Sequence, residues 1–176
     1  MILDQLSTLE EQSIQRGIPV IGREKGTWLL QKVIKLKPKQ ILELGTANGY
    51  SGCILGSQGG KLFTIEIDSV IAEEAAINFS KHNINAEIIL GNGVEIIQNL
   101  VQKKDSFDLI FIDFIKKGYI QVLENCISLV KKGGVIIADN IFMDNCQDFT
   151  DAVLHHSKLM TEIINIRDGL SFSVKK

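Results

Sequence analysis

Apolar residues in this chain form short runs that alternate with longer periodic segments. Runs at 41–44, 61–67, 86–90, 107–112 and 134–138 predict five strands, because each is short and is followed by polar or glycine-containing residues. Two further runs, 160–166 and 170–174, close the chain. The turn-forming pair Asp168-Gly169 lies between them, which predicts an antiparallel hairpin.

Segments with helical periodicity separate the strands. Apolar spacing predicts helices over residues 2–16, 26–36, 50–57, 70–82, 94–102, 118–130 and 145–157. The runs at 109–112 and 135–138 are apolar on both faces, as expected for central parallel strands covered by helices. The pattern therefore predicts an α/β protein with a Rossmann-like, doubly wound, mostly parallel seven-stranded sheet and a C-terminal antiparallel hairpin. We expect one domain over 1–176, with an N-terminal helix and loop at 1–24 and a core at 25–176.

Composition and charge narrow the class of protein. Apolar residues make up 45% and charged residues 23%, which is typical of a globular protein, and the formal net charge is −2. The chain lacks the overall excess of positive charge that would indicate a nucleic acid or an anionic membrane as partner. A local basic patch is still compatible with this composition. The three cysteines lack a CxxC spacing, which gives no sign of a disulfide framework or a zinc site. Because neither a signal peptide nor a membrane-spanning run is evident, we expect a cytoplasmic protein without a membrane partner.

The turn after the first strand indicates which nucleoside cofactor the fold would bind. It reads E-x-G-x-x-x-G from Glu43 through Gly45 to Gly49, and not the GxGxxG of a pyrophosphate-binding turn. The glycines allow a tight turn and a close approach of a ligand. An acidic residue would repel a pyrophosphate but suits a ligand that carries an ammonium and a sulfonium. The turn therefore favours S-adenosylmethionine over NAD.

Residues after the second and third strands extend this prediction. An acid about twenty residues beyond the glycine turn is placed to accept hydrogen bonds from ribose hydroxyls. Strand alternation favours Glu66 over Asp68 for this role. After the third strand, the small residues of Gly91-Asn92-Gly93 leave room for an adenine ring.

Polar residues that follow the fourth and fifth strands predict a metal site. Asp113 follows the fourth strand and Asp139-Asn140 follows the fifth. Because the carboxyl ends of parallel strands meet at one edge of a sheet, these side chains are expected to face each other there. Two carboxylates and a carboxamide form an all-oxygen set that suits Mg²⁺ better than zinc. The alternative is that Asp139-Asn140 only caps a helix.

Several blocks of residues carry a resemblance to a known family. They are Lys25-Gly26, LELGTANGYS at 42–51, TIEID at 64–68, LGNGVEII at 90–97, DLIFIDFIKKGY at 108–119, KKGGVIIADN at 131–140 and RDGL at 167–170. With these blocks the chain resembles the cation-dependent O-methyltransferases, a class I group that includes catechol and caffeoyl-coenzyme A O-methyltransferases, in a short prokaryotic form. The resemblance extends from Ile18 to nearly the end of the chain.

The resemblance implies roles for individual residues. Those expected at the S-adenosylmethionine site are Ile21, Glu43, Gly45, Ser51, Glu66, Ile67, Gly93 and Asp113. Asp113, Asp139 and Asn140 would ligate Mg²⁺ or another divalent cation. Lys116, three residues after Asp113, matches the family's general base. The implied reaction is methyl transfer to a hydroxyl of a metal-chelating, catechol-like small molecule.

The acceptor is less well defined by the sequence. Ser171 stands where catechol O-methyltransferases carry an acid that binds the second hydroxyl of the acceptor. Since some bacterial members of the family that the chain resembles methylate a hydroxylated uridine of tRNA, this is an alternative acceptor, which a cluster of Lys and Arg near the strand ends would favour. A non-catalytic module that binds S-adenosylmethionine is a second alternative. The resemblance leaves a homodimer open.

Overall fold

The computed structural model describes all residues, 1–176. The strands are β1 Gln40–Leu44, β2 Lys61–Glu66, β3 Ala86–Leu90, β4 Phe107–Ile112, β5 Val130–Asp139, β6 Leu159–Ile164 and β7 Leu170–Lys175. The helices are α1 Ile2–Gln5, α2 Ser7–Arg16, α3 Gly22–Leu36, α4 Tyr50–Gly56, α5 Ser69–Lys81, α6 Gly93–Lys103, α7 Tyr119–Leu129 and α8 Gln147–His155. Two short 3₁₀ turns, Lys116–Gly118 and Asp144–Cys146, precede α7 and α8.

The seven strands form one mixed sheet in the order β3-β2-β1-β4-β5-β7-β6. Strands β1 to β5 are parallel, and β7 pairs antiparallel with both β5 and β6. The predicted fold class is confirmed, including the C-terminal hairpin. The chain leaves β1 in one direction for β2 and β3 and then returns to β4 on its other side. This switch point between β1 and β4 is where such sheets bind ligands, beyond the carboxyl ends of the strands.

Helices cover both faces of the sheet, so the central strands are apolar on both sides. Leu42 and Ile110 belong to a core of 22 buried residues that is closed by α6, α7 and α8. Ile41 and Leu109 belong to a second core of 20 buried residues that is closed by α1 to α5. Alternate residues of one strand therefore serve two separate cores, as expected for a doubly wound sheet.

The N-terminal elements differ from the prediction. The helix predicted over 2–16 is interrupted at Leu6, where the backbone has φ −89° and ψ −2°. The next helix begins at Gly22 and not at residue 26, because Gly22 turns the chain at φ +71° and Glu10 Oε1 accepts a hydrogen bond from the Arg23 N–H at 2.7 Å. The expected boundary between 24 and 25 therefore falls inside α3.

Three bounds in the second half of the chain also differ. Strand β5 begins at Val130, four residues before the predicted 134, and its register with β4 shifts between Phe107 and Leu109. The segments predicted as helices over 118–130 and 145–157 yield shorter helices that follow the two 3₁₀ turns. None of the helices combines the length and apolar character required to cross a membrane.

Candidate active site

A cavity of about 770 Å³ opens at the carboxyl ends of β1 and β4. Of the residues predicted at the site, those that line it are Ile21, Gly45, Ser51, Glu66, Ile67, Gly93, Asp113, Lys116, Asp139 and Asn140. Glu43 is the predicted site residue that does not line the cavity. The structure therefore brings residues from across the chain to one place at the switch point of the sheet.

The glycine turn after β1 is pressed against the end of β4. The N–H groups of Gly45 and Thr46 both donate to the carbonyl oxygen of Ile65, at 3.0 and 3.2 Å. Gly45 has φ +99°, and a Cβ there would collide with the carbonyl oxygen of Asp113 and lie 2.7 Å from its carbonyl carbon. Only glycine satisfies both the backbone angle and the close approach.

Glu66 is held at the cavity wall by backbone donors. Its carboxylate accepts hydrogen bonds from the N–H groups of Ala47 at 2.9 Å, Ile67 at 2.8 Å and Asp68 at 3.0 Å. The Asp68 side chain instead accepts from Val70 N and caps the N-terminus of α5. The two neighbouring acids thus have different roles, and Glu66 is the one that the glycine turn fixes.

Glu43 lies behind the cavity wall, fully buried. Its carboxyl group accepts hydrogen bonds from Ser51 Oγ and Thr64 Oγ1, each at 2.6 Å. Burial raises the pKa of Glu43 to about 8, although the two hydroxyl groups oppose the shift. The carboxyl group of Glu43 therefore lies outside the cavity wall on which the sequence analysis expects it, and its burial favours the uncharged form. Ser51 stands between this carboxyl group and the cavity.

Sequence analysis did not single out Asn48, which also lines the cavity. Its side chain is buried, and Nδ2 donates to Ser13 Oγ at 2.7 Å. Its Oδ1 is buried without a hydrogen-bond partner in the protein. In the sequence, only the position of Asn48 inside the glycine turn indicated that it belongs to the site. A buried acceptor that is left unpaired in this way destabilises the fold.

The strand ends bring Asp113 and Asp139 side by side. Ile112 of β4 pairs with Ala138 of β5, so the following residues, Asp113 and Asp139, lie at adjacent strand ends. Lys116 Nζ donates to Asp113 Oδ1 at 2.7 Å and to Tyr119 Oη at 2.9 Å. The predicted base and the first predicted metal ligand are thus direct neighbours.

Asp139 is nearly completely buried. Burial and the charge of Asp113 raise the pKa of Asp139, and its hydrogen bond with Lys25 opposes that rise. Its Oδ1 accepts from Lys25 Nζ and from the N–H of Asn140, the latter at 2.8 Å. Neither α8 nor the 3₁₀ turn before it has a side-chain cap. The alternative that Asp139-Asn140 serves only as a helix cap is therefore wrong.

Lys25 and Asp168 complete the polar cluster, although the sequence predicted no part in the site for Lys25 and only a hairpin turn for Asp168. Lys25 Nζ contacts both Asp139 Oδ1 and Asp168 Oδ1, while Asn140 Nδ2 donates to Asp168 Oδ2. Although burial opposes it, the hydrogen bonds from Lys25 and Asn140 lower the pKa of Asp168. Both residues lay in motif blocks that were noted, but sequence position alone does not reveal that a lysine of α3 reaches β5.

Ser171, by contrast, is not part of the cavity. It pairs with Ala138 within the sheet, and its Oγ is buried without a partner. Ser171 itself therefore does not reach an acceptor in the cavity.

The site contains no group of three or more His, Cys, Asp or Glu side chains arranged to hold a metal ion. The predicted set offers two carboxylates and one amide. One polar atom of each side chain forms a hydrogen bond: Asp113 with Lys116, Asp139 with Lys25 and Asn140 with Asp168. Asp113 Oδ2, Asp139 Oδ2 and Asn140 Oδ1 accept no hydrogen bond in the protein. These three oxygens are of the type that Mg²⁺ prefers.

Comparison with known proteins establishes the family. The model of the O-methyltransferase family matches residues 1–165. The chain therefore belongs to the O-methyltransferase family, and it is an enzyme of the S-adenosylmethionine-dependent class. This confirms the resemblance drawn from the motif blocks.

Individual relatives agree with this assignment. The chain is 29% identical to the catechol O-methyltransferase of Sus scrofa over 173 residues, which cover 89% of this chain and 92% of that protein. It is 28% identical to the catechol O-methyltransferase of Mus musculus over 88% of this chain, and it spans 64% of the length of that protein. The structure of the O-methyltransferase from Bacillus cereus in complex with SAH matches with a TM-score of 0.86 at 23% identity, covering 99% of this chain and 90% of that one.

Proposed function

We propose that this enzyme transfers the methyl group of S-adenosylmethionine to a hydroxyl of a small, catechol-like acceptor that chelates a divalent cation, Mg²⁺ in the first instance. The observation that carries the proposal is the polar cluster at one end of the cavity. Asp113, Asp139 and Asn140 leave three oxygens free there, and Lys116 lies beside Asp113.

The cavity suits the charge of the cofactor. Five carboxylate residues line it, against one lysine: Glu66, Asp68, Asp113, Asp139 and Asp168, with Lys116. An acidic wall favours a ligand that bears an ammonium and a sulfonium. Glu66 offers its fixed carboxylate to two ribose hydroxyls. The Bacillus cereus relative was solved with SAH, the demethylated form of the same cofactor.

The free oxygens suit a hard divalent cation. Asp113, Asp139 and Asn140 would hold it at adjacent strand ends. Bound there, such a cation supplies Lewis-acid chemistry that orients two neighbouring hydroxyls of an acceptor and lowers the pKa of the one to be methylated. The relatives from Sus scrofa and Mus musculus are named catechol O-methyltransferases, which supports a catechol-like acceptor.

Lys116 is the residue that would take the proton of the acceptor. It lies at the cavity wall within hydrogen-bond distance of Asp113 and Tyr119. The uncharged amine accepts the hydroxyl proton while the acceptor oxygen attacks the methyl carbon and the sulfonium becomes a thioether. Because the fold holds both reactants in one cavity, orientation contributes a large part of the rate enhancement.

The charge distribution argues against tRNA as the acceptor. A lysine cluster does exist, but Lys37, Lys39, Lys131 and Lys132 line a separate cleft that adjoins the beginning of β1 and of β5. That cleft lies at the amino ends of the strands, away from the reactive end of the sheet. Since the cavity wall itself is acidic, it would repel a phosphate backbone.

The decisive experiment is transfer of labelled methyl from S-adenosylmethionine to 3,4-dihydroxybenzoate, with Mg²⁺ and then with EDTA. We expect transfer with Mg²⁺ and its loss with EDTA. Transfer that persists in EDTA would contradict the cation mechanism. Transfer to hydroxylated tRNA with none to the catechol would contradict the acceptor class.

A matched pair of variants separates catalysis from cofactor binding. Asp139→Ala is expected to abolish methyl transfer while SAH still binds, because the side chain serves the cation and not the nucleoside. Asp151→Ala removes an exposed carboxylate on α8 and should retain full activity. Full activity in Asp139→Ala would favour a metal-independent enzyme, and SAH binding without any transfer in the wild type would favour a non-catalytic module.

A further inference from the structure

Lys25 is a buried cation in contact with the proposed metal ligands. Its side chain is only 2% exposed, and Nζ forms ion pairs with Asp139 and Asp168. The two partners lie 114 and 143 residues away in the chain, on β5 and on the turn before β7. A buried lysine is stable only when it is paired, so this cluster requires both carboxylates.

The contacts of this cluster determine which atoms stay available. Asp139 Oδ1 accepts two hydrogen bonds, from Lys25 Nζ and the Asn140 N–H, while Oδ2 accepts none. Asn140 donates its Nδ2 to Asp168 Oδ2, and since the oxygen of an amide points away from its nitrogen, Oδ1 is turned to the opposite side. In both Asp139 and Asn140, one polar side-chain atom is held by a hydrogen bond, and the remaining oxygen accepts none.

We infer that Lys25, together with Asp168, positions the cation site: it selects the carboxylate oxygen of Asp139 and the amide oxygen of Asn140 that face the cation. The inference rests on the cation site of the proposed function and adds residues that do not themselves contact a cation. Groups that orient metal ligands in this way affect metal affinity by about 10–100-fold.

The direction in which cation affinity changes when Lys25 is removed distinguishes a positioning role from a direct effect of its charge. Lys25 carries a positive charge beside a site for a dication, so its removal alone would strengthen cation binding by Coulomb's law. Loss of positioning has the opposite effect, because Asp139 would then be free to turn and Asp168 would lose its main partner. A weaker cation affinity in a lysine-free variant is therefore not the direct Coulomb effect of the lost positive charge.

Binding of Mn²⁺ alone, measured by electron paramagnetic resonance without cofactor or acceptor, tests the inference. Lys25→Met is expected to weaken Mn²⁺ binding at least tenfold. Lys35→Met removes an exposed lysine from the same helix and should change it less than twofold. Water proton relaxation should show additional water on any Mn²⁺ that still binds to Lys25→Met, because a protein ligand has been lost. SAH affinity without metal serves as the check of folding and should stay within twofold of wild type.

A second pair of variants keeps the inference falsifiable if Lys25→Met does not fold. Asp168→Asn, at a half-exposed position, leaves one amide oxygen where two carboxylate oxygens accept from Lys25 Nζ and Asn140 Nδ2, so an NH₂ group must face one of these two donors. Glu24→Gln removes one negative charge from a nearby exposed residue without touching these hydrogen bonds. We expect Asp168→Asn to weaken Mn²⁺ binding by tenfold or more and Glu24→Gln by less than twofold.

The outcomes separate this inference from the proposed function. Tight Mn²⁺ binding in the wild type with unchanged or tighter binding in Lys25→Met would overturn the positioning role and leave the cation site standing. If Lys25→Met does not fold, equal Mn²⁺ affinities of Asp168→Asn and Glu24→Gln would overturn it in the same way. Absence of Mn²⁺ binding in the wild type would overturn the cation site and the positioning role together.

Discussion

The buried carboxyl group of Glu43 gives the protein a pH dependence that no exposed acid shares. Its pKa is raised from 4.5 to about 8 in the fold, so the protonated form is the one that the fold stabilises. Its contribution to the free energy of unfolding is fully present below about pH 4.5, the unfolded value, and is lost as the pH rises through about 8. Stability should therefore decline over that window.

Glu43→Gln tests this dependence, because glutamine has the shape and the donor of a protonated glutamate. The difference in unfolding free energy between pH 5.5 and pH 8.5, measured by urea denaturation, should shrink by about 1–3 kcal/mol in the variant. Glu73→Gln, at an exposed position on α5, should leave the difference unchanged. Equal pH profiles for wild type and Glu43→Gln would mean that this carboxyl group is ionised in the fold.

Lys116 and Lys117 are adjacent in sequence but differ in environment. Lys116 Nζ reaches Asp113 and Tyr119, whereas Lys117 is exposed and makes no ion pair. Lys116→Met should lower kcat by about 10²–10⁴-fold with a small change in the KM for S-adenosylmethionine, because a positioned base is lost. Lys117→Met should retain full activity. Steady-state rates of both variants decide the assignment, and equal losses would contradict Lys116 as the base.

The sequence and its family resemblance predicted ten residues of the cavity wall but not what holds them. Gly45, Glu66 and Asp113 were predictable because each lies at the carboxyl end of a strand or directly after it, at the ligand-binding edge of the sheet. Lys25 was not given a role, since its burial depends on partners more than a hundred residues away. Glu43 was expected on the cavity wall, whereas the hydrogen bonds that it accepts from Ser51 and Thr64 hold it buried behind that wall.

At the scale of elements, the order of strands and helices was predictable and several ends were not. Central strands such as β4 are apolar on both faces, and this pattern can be recognised in the sequence without knowledge of long-range contacts. The beginning of α3 was missed because its first residue is a glycine with positive φ and its capping acceptor, Glu10, belongs to another helix. Ends of elements are decided by such long-range contacts, which periodicity does not contain.

The turn between β1 and α4 depends on glycine for a steric reason that can be measured. Gly45→Ala would require φ +99° and a Cβ against the Asp113 carbonyl, so we expect a loss of about 3 kcal/mol or more in unfolding free energy. Gly59→Ala is the matched control, because Gly59 has φ +80° but no atom within 4 Å of its Cβ. That variant should lose about 1–2 kcal/mol from backbone strain alone. Similar losses in urea denaturation would contradict the close contact between the β1 turn and β4.

At the scale of the whole molecule, the N-terminal helices are part of the main fold and not an appendage. Leu6, at the break between α1 and α2, is completely buried in the same core as Leu29 of α3 and Ile54 of α4. Arg16 at the end of α2 also forms a two-pronged ion pair with Glu74 of α5, with both N–O distances at 2.8 Å. Because this pair is exposed to solvent, it contributes little, so burial of leucine dominates the attachment.

Leu6→Ala tests whether this attachment is cooperative with the rest of the fold. Removal of a fully buried leucine side chain should lower the unfolding free energy by about 2–5 kcal/mol, because it leaves a cavity between α1, α3 and α4. Ile14→Ala on α2 is the control, since Ile14 is 67% exposed and its truncation should cost less than about 0.5 kcal/mol. Urea denaturation followed by both tryptophan fluorescence and circular dichroism should give one coincident transition for Leu6→Ala, shifted to lower urea, because Trp28 on α3 reports the same core. Two separate transitions would instead mean that residues 1–16 unfold independently of the sheet.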